Sequence, residues 1–148
     1  MDNFNMFQKI LYTGGTFDMF HYGHINFLHK CSNICKNIIV SLNSDEFIFR
    51  YKKRKPIMSF EERRESLLSC SYVKSVIKNI GDEDSKQAIS VVQPNIIAVG
   101  DDWINKNIYD QMNISIEWLK EKNIELVFIP YTKQISTSQI ISRIISNE

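Results

Sequence analysis

The sequence contains no long apolar run, almost no net charge and few cysteines. No apolar stretch approaches the ~20 residues that span a bilayer, and the first residues lack the basic start and apolar core of a signal peptide. We therefore expect a cytoplasmic protein that does not enter a membrane. The formal net charge is +1 over 148 residues, so we expect no nucleic-acid partner, and any bound anion must be held by a local cluster.

The three cysteines, Cys31, Cys35 and Cys70, are an odd number, which argues against a disulfide framework. Cys31 and Cys35 are four residues apart in an apolar helical pattern, and no second pair of cysteines or histidines completes a metal site with them. We expect both to be small residues of the core.

Short β-rich runs alternate with helical patterns along the chain. The strands are predicted at residues 9–12, 37–42, 73–77, 96–99 and 126–129, and several are continuously apolar, as strands buried on both faces are. Ser59 with Glu62 predicts a helix over 60–70, and Ser136 with Gln139 predicts the start of the last helix. The sequence thus predicts one α/β domain over 1–148, with a Rossmann-like, doubly wound, five-stranded parallel sheet and helices on both faces.

The segment after the first strand carries the strongest chemical signal. Gly14 and Gly15 predict a sharp turn whose amides approach a phosphate, and His21 and His24 fall where the next helix begins. Gly23 between them leaves room for a ligand. The alternatives are a plain glycine turn with two solvent-facing histidines, or half of a metal site, for which His29 lies on another helical face.

Two further segments have residues suited to binding phosphate. A basic run of Arg50, Lys52, Lys53, Arg54 and Lys55 is either a solvated loop or a source of one or two phosphate ligands. Arg63 lies in the first turn of its helix, where a cation needs an anionic partner, so it is either a phosphate or ribose contact or one side of a surface salt bridge. Hydroxyls and helix amides at 136–138 form a predicted phosphate cradle, in which Ser136 also caps the helix.

Gly15-Thr16-Phe17-Asp18 followed by His21-x-Gly23-His24 resembles the signature of the cytidylyltransferase-like nucleotidylyltransferases, a superfamily with a His-x-Gly-His motif. The resemblance continues in order through Ser44-Asp45-Glu46-Phe47, Arg54-Lys55-Pro56-Ile57 with Glu62-Arg63, Tyr72-Val73, Gly100-Asp101-Asp102-Trp103 and Ile135-Ser136-Thr137-Ser138. The Gly-Asp-Asp-Trp motif is closest to the glycerol-3-phosphate branch.

The resemblance implies a set of roles for this chain. Catalysis falls to His21, His24 and Lys53, although Lys52 and Lys53 both qualify as the phosphate-binding lysine. Nucleotide binding is implied for Gly14, Gly15, Thr16, Phe17, Lys52, Gly100, Asp101, Ile135, Ser136, Thr137 and Ser138. Substrate binding is implied for Asp18, Asp45, Arg63, Asp102, Trp103 and Tyr131. A magnesium ion bridging the phosphates of CTP and a homodimer are also implied, and no metal ligand is assigned.

The sequence departs from the family pattern at two expected arginines, where it has Ser71 and Tyr131. Arginine is not replaced conservatively at a bidentate site, so the acceptor is open. The predicted reaction is cytidylyl transfer from CTP to a phosphorylated alcohol, favouring glycerol 3-phosphate and releasing pyrophosphate. The alternatives are phosphocholine, phosphoethanolamine or another polyol phosphate as acceptor, ATP as nucleotide, or a nucleotide-binding scaffold without turnover.

Overall fold

The computed structural model describes residues 8–103 and 107–147. Five strands, all parallel, form one sheet in the order β3-β2-β1-β4-β5. Their bounds are β1 Ile10–Gly15, β2 Asn37–Leu42, β3 Ser75–Lys78, β4 Ile96–Gly100 and β5 Glu125–Ile129. The predicted parallel five-stranded sheet is confirmed.

Helices connect these strands and cover both faces of the sheet. Their bounds are α1 Tyr22–Ser32, α2 Asp45–Lys52, α3 Phe60–Leu68, α4 Lys86–Val92, α5 Ile108–Met112, α6 Ile116–Glu121 and α7 Thr137–Ser146, with a 3₁₀ turn at Asp101–Trp103. The two helix starts predicted from sequence are both present, with different caps. Ser59 and Glu62 form a complete box at α3, whereas Ser136 caps α7 by accepting a hydrogen bond from the Gln139 amide.

Alternate residues of the central strands enter two separate cores. Leu11 of β1 packs with Leu28, Cys31 and Leu67 from α1 and α3, while the neighbouring Tyr12 packs on the other face with residues of α4, α5 and α6. Successive side chains of a strand point to opposite faces, so a strand buried on both sides must be apolar throughout. Cys31 and Cys35 are fully buried, which confirms their predicted place in the core.

The strand order reverses between β1 and β4, and these two strands separate early. Their pairing is confined to Leu11 with Ile96 and Tyr12 with Ile97, whereas β1 pairs with β2 over its full length. Beyond Tyr12, the Thr13 hydroxyl donates to the Ala98 carbonyl of β4 at 2.9 Å. A crevice therefore opens where ligands bind in folds of this kind.

Strand β1 runs farther than predicted. Gly14 and Gly15 remain in the sheet, opposite Ser41 and Leu42, and neither has positive φ. The predicted glycine turn is therefore wrong in place, because the left-handed residues are Phe17 and Met19, with φ of 49° and 61°. The strand predicted at 73–77 begins two residues later, since the Val73 amide still closes a turn onto the Cys70 carbonyl.

The last helix carries an apolar stripe that the fold does not bury. None of the α7 side chains is buried, and Ile144 and Ile145 are 54% and 64% exposed. Within residues 8–103 and 107–147, no helix has both the length and the apolar character needed to cross a membrane.

Candidate active site

A cavity of about 480 Å³ lies at the carboxyl end of the sheet, at the crevice between β1 and β4. It is lined by the loop that follows β1, by the two histidines, by the basic segment after α2 and by the head of α7. The residues singled out from the sequence that line it are Gly14, Gly15, Thr16, Phe17, Asp18, His21, Gly23, His24, Lys52, Arg54, Lys55, Gly100, Asp102, Tyr131, Ser136, Thr137 and Ser138.

His21 and His24 form a stacked pair at the start of α1. Their ring centroids are 3.7 Å apart, with 22° between the ring planes. His21 is the N-cap residue, and its Nδ1 accepts a hydrogen bond from the Gly23 amide at 3.1 Å. The His21 amide in turn donates to Nδ1 of His24 at 3.2 Å. The two imidazoles thus accept the pair of backbone hydrogen bonds that Ser and Glu side chains accept in an ordinary capping box.

This arrangement settles which ring nitrogens carry protons. A nitrogen that accepts a hydrogen bond from an amide holds no proton, so in the neutral ring the proton is on Nε2. No described residue accepts a hydrogen bond from either Nε2. Each histidine therefore brings an N–H donor to the cavity.

Burial keeps both imidazoles neutral. It lowers the pKa of His21 below its usual 6.5. Burial also lowers the pKa of His24 to about 3, and repulsion from His21 and Lys52 adds to the effect. At neutral pH the pair supplies two hydrogen-bond donors without formal charge, and positive charge must come from elsewhere in the cavity.

The glycines near the histidines serve packing as well as access. A Cβ on Gly15 would lie 2.9 Å from the ring of Phe17, and a Cβ on Gly23 would lie 2.9 Å from Cε1 of His21. Gly23 lines the cavity, and the absence of a side chain there leaves space for the His21 ring. The prediction that it also leaves room for a ligand stays a prediction.

Asp18 ties the loop after β1 to the basic segment. Its carboxylate accepts hydrogen bonds from the amides of Ile57 at 2.7 Å and Met58 at 2.9 Å, and its carbonyl accepts one from the Thr137 hydroxyl at 2.8 Å. Asp18 therefore joins three segments of the cavity wall. Its contact with substrate stays a prediction.

The structure distinguishes the two candidate lysines. Lys52 is the last residue of α2 and lines the cavity, where burial and the nearby Arg54 lower its pKa. Lys53 is the left-handed C-cap of the same helix, with φ of 60°, and is exposed outside the cavity. Of the two lysines, Lys52 is therefore the one placed to contact a phosphate in the cavity. The position of Lys53 does not support the catalytic role predicted for it, which stays a prediction.

Arg63 is a structural residue rather than a substrate contact. It is fully buried, and Asp45 is its anionic partner at 2.6 Å. The rest of its guanidinium donates to backbone carbonyls, namely those of Met58, Thr16 and Asn43, at 2.9–3.0 Å. Arg63 exposes no surface to a substrate, so the substrate contact predicted for it is wrong. Asp45 is not among the lining residues, and its substrate contact stays a prediction. Arg63 thus links Asp45 to the Thr16 carbonyl and stabilises the loop after β1.

The segment after β4 contributes two of its predicted residues. Gly100 and Asp102 line the cavity, whereas the carboxylate of Asp101 accepts the Tyr131 amide at 2.9 Å and lies outside the lining. This carboxylate anchors the start of the β5–α7 connection, and the predicted nucleotide contact of Asp101 stays a prediction. The side chain of Trp103 lies outside the described part of the structure.

The β5–α7 connection brings Tyr131 and the hydroxyl cluster to the cavity. Tyr131 stands where the family has an arginine, and its hydroxyl donates to the Ile135 carbonyl at 3.3 Å. Ser136 caps α7, and Ser138 approaches the Arg54 guanidinium at 3.5 Å. Ile135 is not among the lining residues. Its side chain lies beside Gly23, and its predicted nucleotide contact stays a prediction.

Several cavity residues were not predicted as site residues. They include Asn43 after β2 and Asn79 after β3, the α2 side chains Phe47 and Tyr51, and Gln111 of α5. The signal that could have found the two asparagines is their position. Each directly follows a strand, at the edge of the sheet where Thr16 also lies.

Comparison with known proteins agrees with this geometry. The family model described as cytidylyltransferase-like matches residues 12–143. The chain is 33% identical over 133 residues to the glycerol-3-phosphate cytidylyltransferase of Bacillus subtilis (strain 168), an alignment that covers 90% of this chain and 95% of the relative. It is also 35% identical over 139 residues to the bifunctional protein HldE of Helicobacter pylori (strain ATCC 700392 / 26695), covering 93% of this chain but 28% of that protein.

Solved structures share the fold at lower identity. The lipopolysaccharide core biosynthesis protein from Thermoplasma volcanium matches with a TM-score of 0.64 and 21% identity, over 86% of this chain and 98% of that one. Pantothenate synthetase from Thermus thermophilus matches with a TM-score of 0.61 and 12% identity, over 90% and 61%. The chain belongs to the cytidylyltransferase-like family. It is a nucleotidyltransferase, as its histidine motif predicted.

Proposed function

We propose that this protein transfers a cytidylyl group from CTP to a phosphorylated alcohol, with glycerol 3-phosphate as the favoured acceptor. The products are a CDP-alcohol and pyrophosphate. The observation that carries this proposal is the stacked histidine pair, whose Nδ1 atoms are both engaged by backbone amides and whose Nε2–H groups belong to residues lining the cavity.

The reaction is an in-line attack by a phosphate oxygen of the acceptor on the α-phosphorus of CTP. A new P–O bond forms as the bond to pyrophosphate breaks. The attacking oxygen is already anionic at neutral pH, so the enzyme needs no strong base. Its task is to align two polyanions and stabilise the charge that develops. His21 and His24 donate hydrogen bonds to phosphate oxygens, and Lys52 supplies positive charge from the same cavity.

Magnesium fits the residues at the cavity. Mg²⁺ is commonly held by one or two carboxylates together with substrate phosphates. Among the described residues, no three His, Cys, Asp or Glu side chains are grouped to hold a metal ion by themselves, so phosphate ligands are required. Asp102 lines the cavity, and its carboxylate makes no hydrogen bond or ion pair with another described residue. Asp102 would hold the ion, which when bound neutralises charge on the triphosphate.

Two lines of support favour glycerol 3-phosphate. The Gly-Asp-Asp-Trp motif follows β4, and the glycerol-3-phosphate cytidylyltransferase of B. subtilis aligns over nearly the whole chain. The similar identity to a differently named relative keeps other acceptors and ATP as the second candidate. We also expect a homodimer, which light scattering on the purified protein would test.

The deciding experiment measures pyrophosphate release with CTP or ATP against a panel of acceptor phosphates. We expect CTP with glycerol 3-phosphate to give the highest kcat/KM, and chelation of Mg²⁺ to abolish turnover. His21→Ala and His24→Ala should each lower kcat at least ~10²-fold, the usual effect of removing a donor to the transition state. Faster turnover with ATP for every acceptor would overturn the cytidylyl assignment. CTP binding without pyrophosphate release from any acceptor would overturn the enzymatic one.

A further inference from the structure

Asn79 lines the cavity, and its side chain has a buried acceptor without a partner among the described residues. It directly follows β3 and is 6% exposed. Its Oδ1 is shielded from solvent and accepts no hydrogen bond from any described residue. An acceptor buried without a partner lowers stability, so such atoms are rare and call for an explanation.

The orientation of this amide is fixed by its other end. Nδ2 of Asn79 donates to Oδ1 of Asn43 and to the backbone carbonyl of Asp82, both at 3.0 Å. A carbonyl oxygen only accepts, so the atom facing Asp82 must be the nitrogen. Rotating the amide by 180° would place two oxygens together. The unpartnered atom is therefore the oxygen.

A chain of hydrogen bonds links Asn79 to the nucleotide motif. Asn43 follows β2, accepts from Asn79 and donates through its own Nδ2 to the Thr16 hydroxyl at 3.4 Å. Thr16, Asn43 and Asn79 thus follow three neighbouring strands in turn, at one edge of the sheet. The asparagine end of this chain is on the β3 side of the cavity, away from the β1–β4 crevice.

The surroundings of Asn79 suit a neutral hydroxylated group. Ser85 and Gln111 line the same cavity, and their side chains make no hydrogen bond to other described residues. The carboxylate of Asp82 is already paired with Arg50 at 2.9 Å, so it is not available as the counter-ion of a cation. A trimethylammonium group has no N–H to offer Asn79, whereas a hydroxyl does have a proton to donate.

We propose that Asn79 selects the acceptor substrate, with its Oδ1 accepting a hydrogen bond from a hydroxyl of a polyol or sugar phosphate. This inference rests on the proposed cytidylyl transfer and names the class of acceptor. It assigns specificity to a residue that follows β3, apart from the histidines and Lys52 that act on the phosphates. A site built to bond a hydroxyl discriminates strongly against an analogue that lacks it.

The test compares glycerol 3-phosphate with propyl phosphate, which has the same chain length and charge but neither hydroxyl. Calorimetry gives the two dissociation constants in the presence of a CTP analogue with a non-cleavable α–β bridge. For the wild-type protein we expect glycerol 3-phosphate to bind at least about 10-fold more tightly. Asn79→Leu should bring this ratio close to 1, mainly by weakening the binding of glycerol 3-phosphate.

Two further variants separate recognition from folding. Asn95→Leu changes an asparagine outside the cavity, whose Oδ1 accepts from the Ile10 amide, and should keep the wild-type ratio. Asn79→Ala removes the same oxygen without adding an apolar side chain of similar size, and it should also bring the ratio close to 1. If Asn79→Leu does not fold, Asn79→Ala replaces it in the comparison with Asn95→Leu.

Each outcome decides the matter. Equal weakening of both phosphates in Asn79→Leu means that Asn79 has only a structural role, and it refutes the proposal. Turnover restricted to phosphocholine or phosphoethanolamine also refutes it, while cytidylyl transfer itself stands. If no acceptor in the panel gives pyrophosphate, the proposed function fails and the role of Asn79 fails with it. A sugar phosphate that outperforms glycerol 3-phosphate, with the same loss in Asn79→Leu, supports it.

Discussion

Acidification should destabilise this protein through His24. Burial, with repulsion from His21 and Lys52, lowers the pKa of this imidazole to about 3. In the unfolded chain it titrates near its usual 6.5. Between these values the unfolded state binds a proton that the folded state does not, so stability falls as pH falls. The contribution of His24 is therefore complete above pH 6.5 and is lost progressively as the pH approaches 3.

The size of the effect follows from the width of this window. Each pH unit between the two pKa values removes about 1.4 kcal/mol from the free energy of unfolding. From pH 6.5 to 4.5 the loss is about 2–3 kcal/mol, a large share of the 5–15 kcal/mol typical of a folded domain. With a urea m-value of about 1–3 kcal/mol/M, the midpoint should move by roughly 0.7–3 M.

Urea unfolding at pH 7 and pH 4.5 tests this reasoning with a matched pair of variants. In His24→Asn, the new amide oxygen still accepts from the His21 backbone as the ring does, but nothing titrates. We expect this variant to lose about 2–3 kcal/mol less than wild type on acidification. His29→Gln removes a histidine that stacks on Tyr72, outside the cavity. This variant keeps His24, so the part of the acid-induced loss in stability that is due to His24 should be the same as in wild type.

Parallel acid sensitivity of wild type and His24→Asn would refute the reasoning. So would an NMR titration in which the His24 ring takes up its proton above pH 5. Either result would mean that the ring is better solvated than the structure shows.

Three further predictions concern the cavity and its supports. Lys52→Met should lower kcat/KM for pyrophosphate release at least ~10²-fold, and equal effects in the matched Lys53→Met would contradict the placement of Lys52. Arg63→Met should lower the free energy of unfolding by about 3–5 kcal/mol in urea, because Asp45 and three carbonyls lose their donor. The neighbouring Arg64→Met loses only an exposed pair and should stay within ~0.5 kcal/mol; similar losses in the two variants would disprove a bracing role. Thr137→Val removes the hydroxyl that joins α7 to the loop after β1, and a KM for CTP that does not rise would argue against this link.

The sequence predicted the fold well because its signals are local and repeated. Five apolar runs of strand length, separated by capped helices, leave few arrangements other than a parallel sheet covered on both faces. The strand ends were less accurate, as in β1, where pairing with β2 keeps Gly14 and Gly15 extended. Pairing with a neighbouring strand overrides the turn preference of glycine, and no local pattern reveals it.

The histidine motif was predictable for the same reason, whereas its neighbours were not. His21 and His24 are three residues apart, so the sequence alone predicts that both lie at the start of the same helix, as they do. For Arg63, sequence indicated that a cation in the first turn of a helix needs an anionic partner. Whether that partner is a substrate phosphate or the carboxylate of Asp45 depends on where α2 packs, which is a long-range property.

The sequence by itself determined the parallel α/β sheet and the position of the two imidazoles at the start of α1, because helix capping and strand burial depend on near neighbours. Tertiary structure alone decided that Lys52 faces the cavity while Lys53 does not. It also decided that Arg63 pairs with Asp45 inside the protein. Finally, it left Oδ1 of Asn79 without a partner among the described residues. These features arise where segments far apart in the chain meet at one edge of the sheet, and only their packing fixes which polar groups remain to bind a substrate.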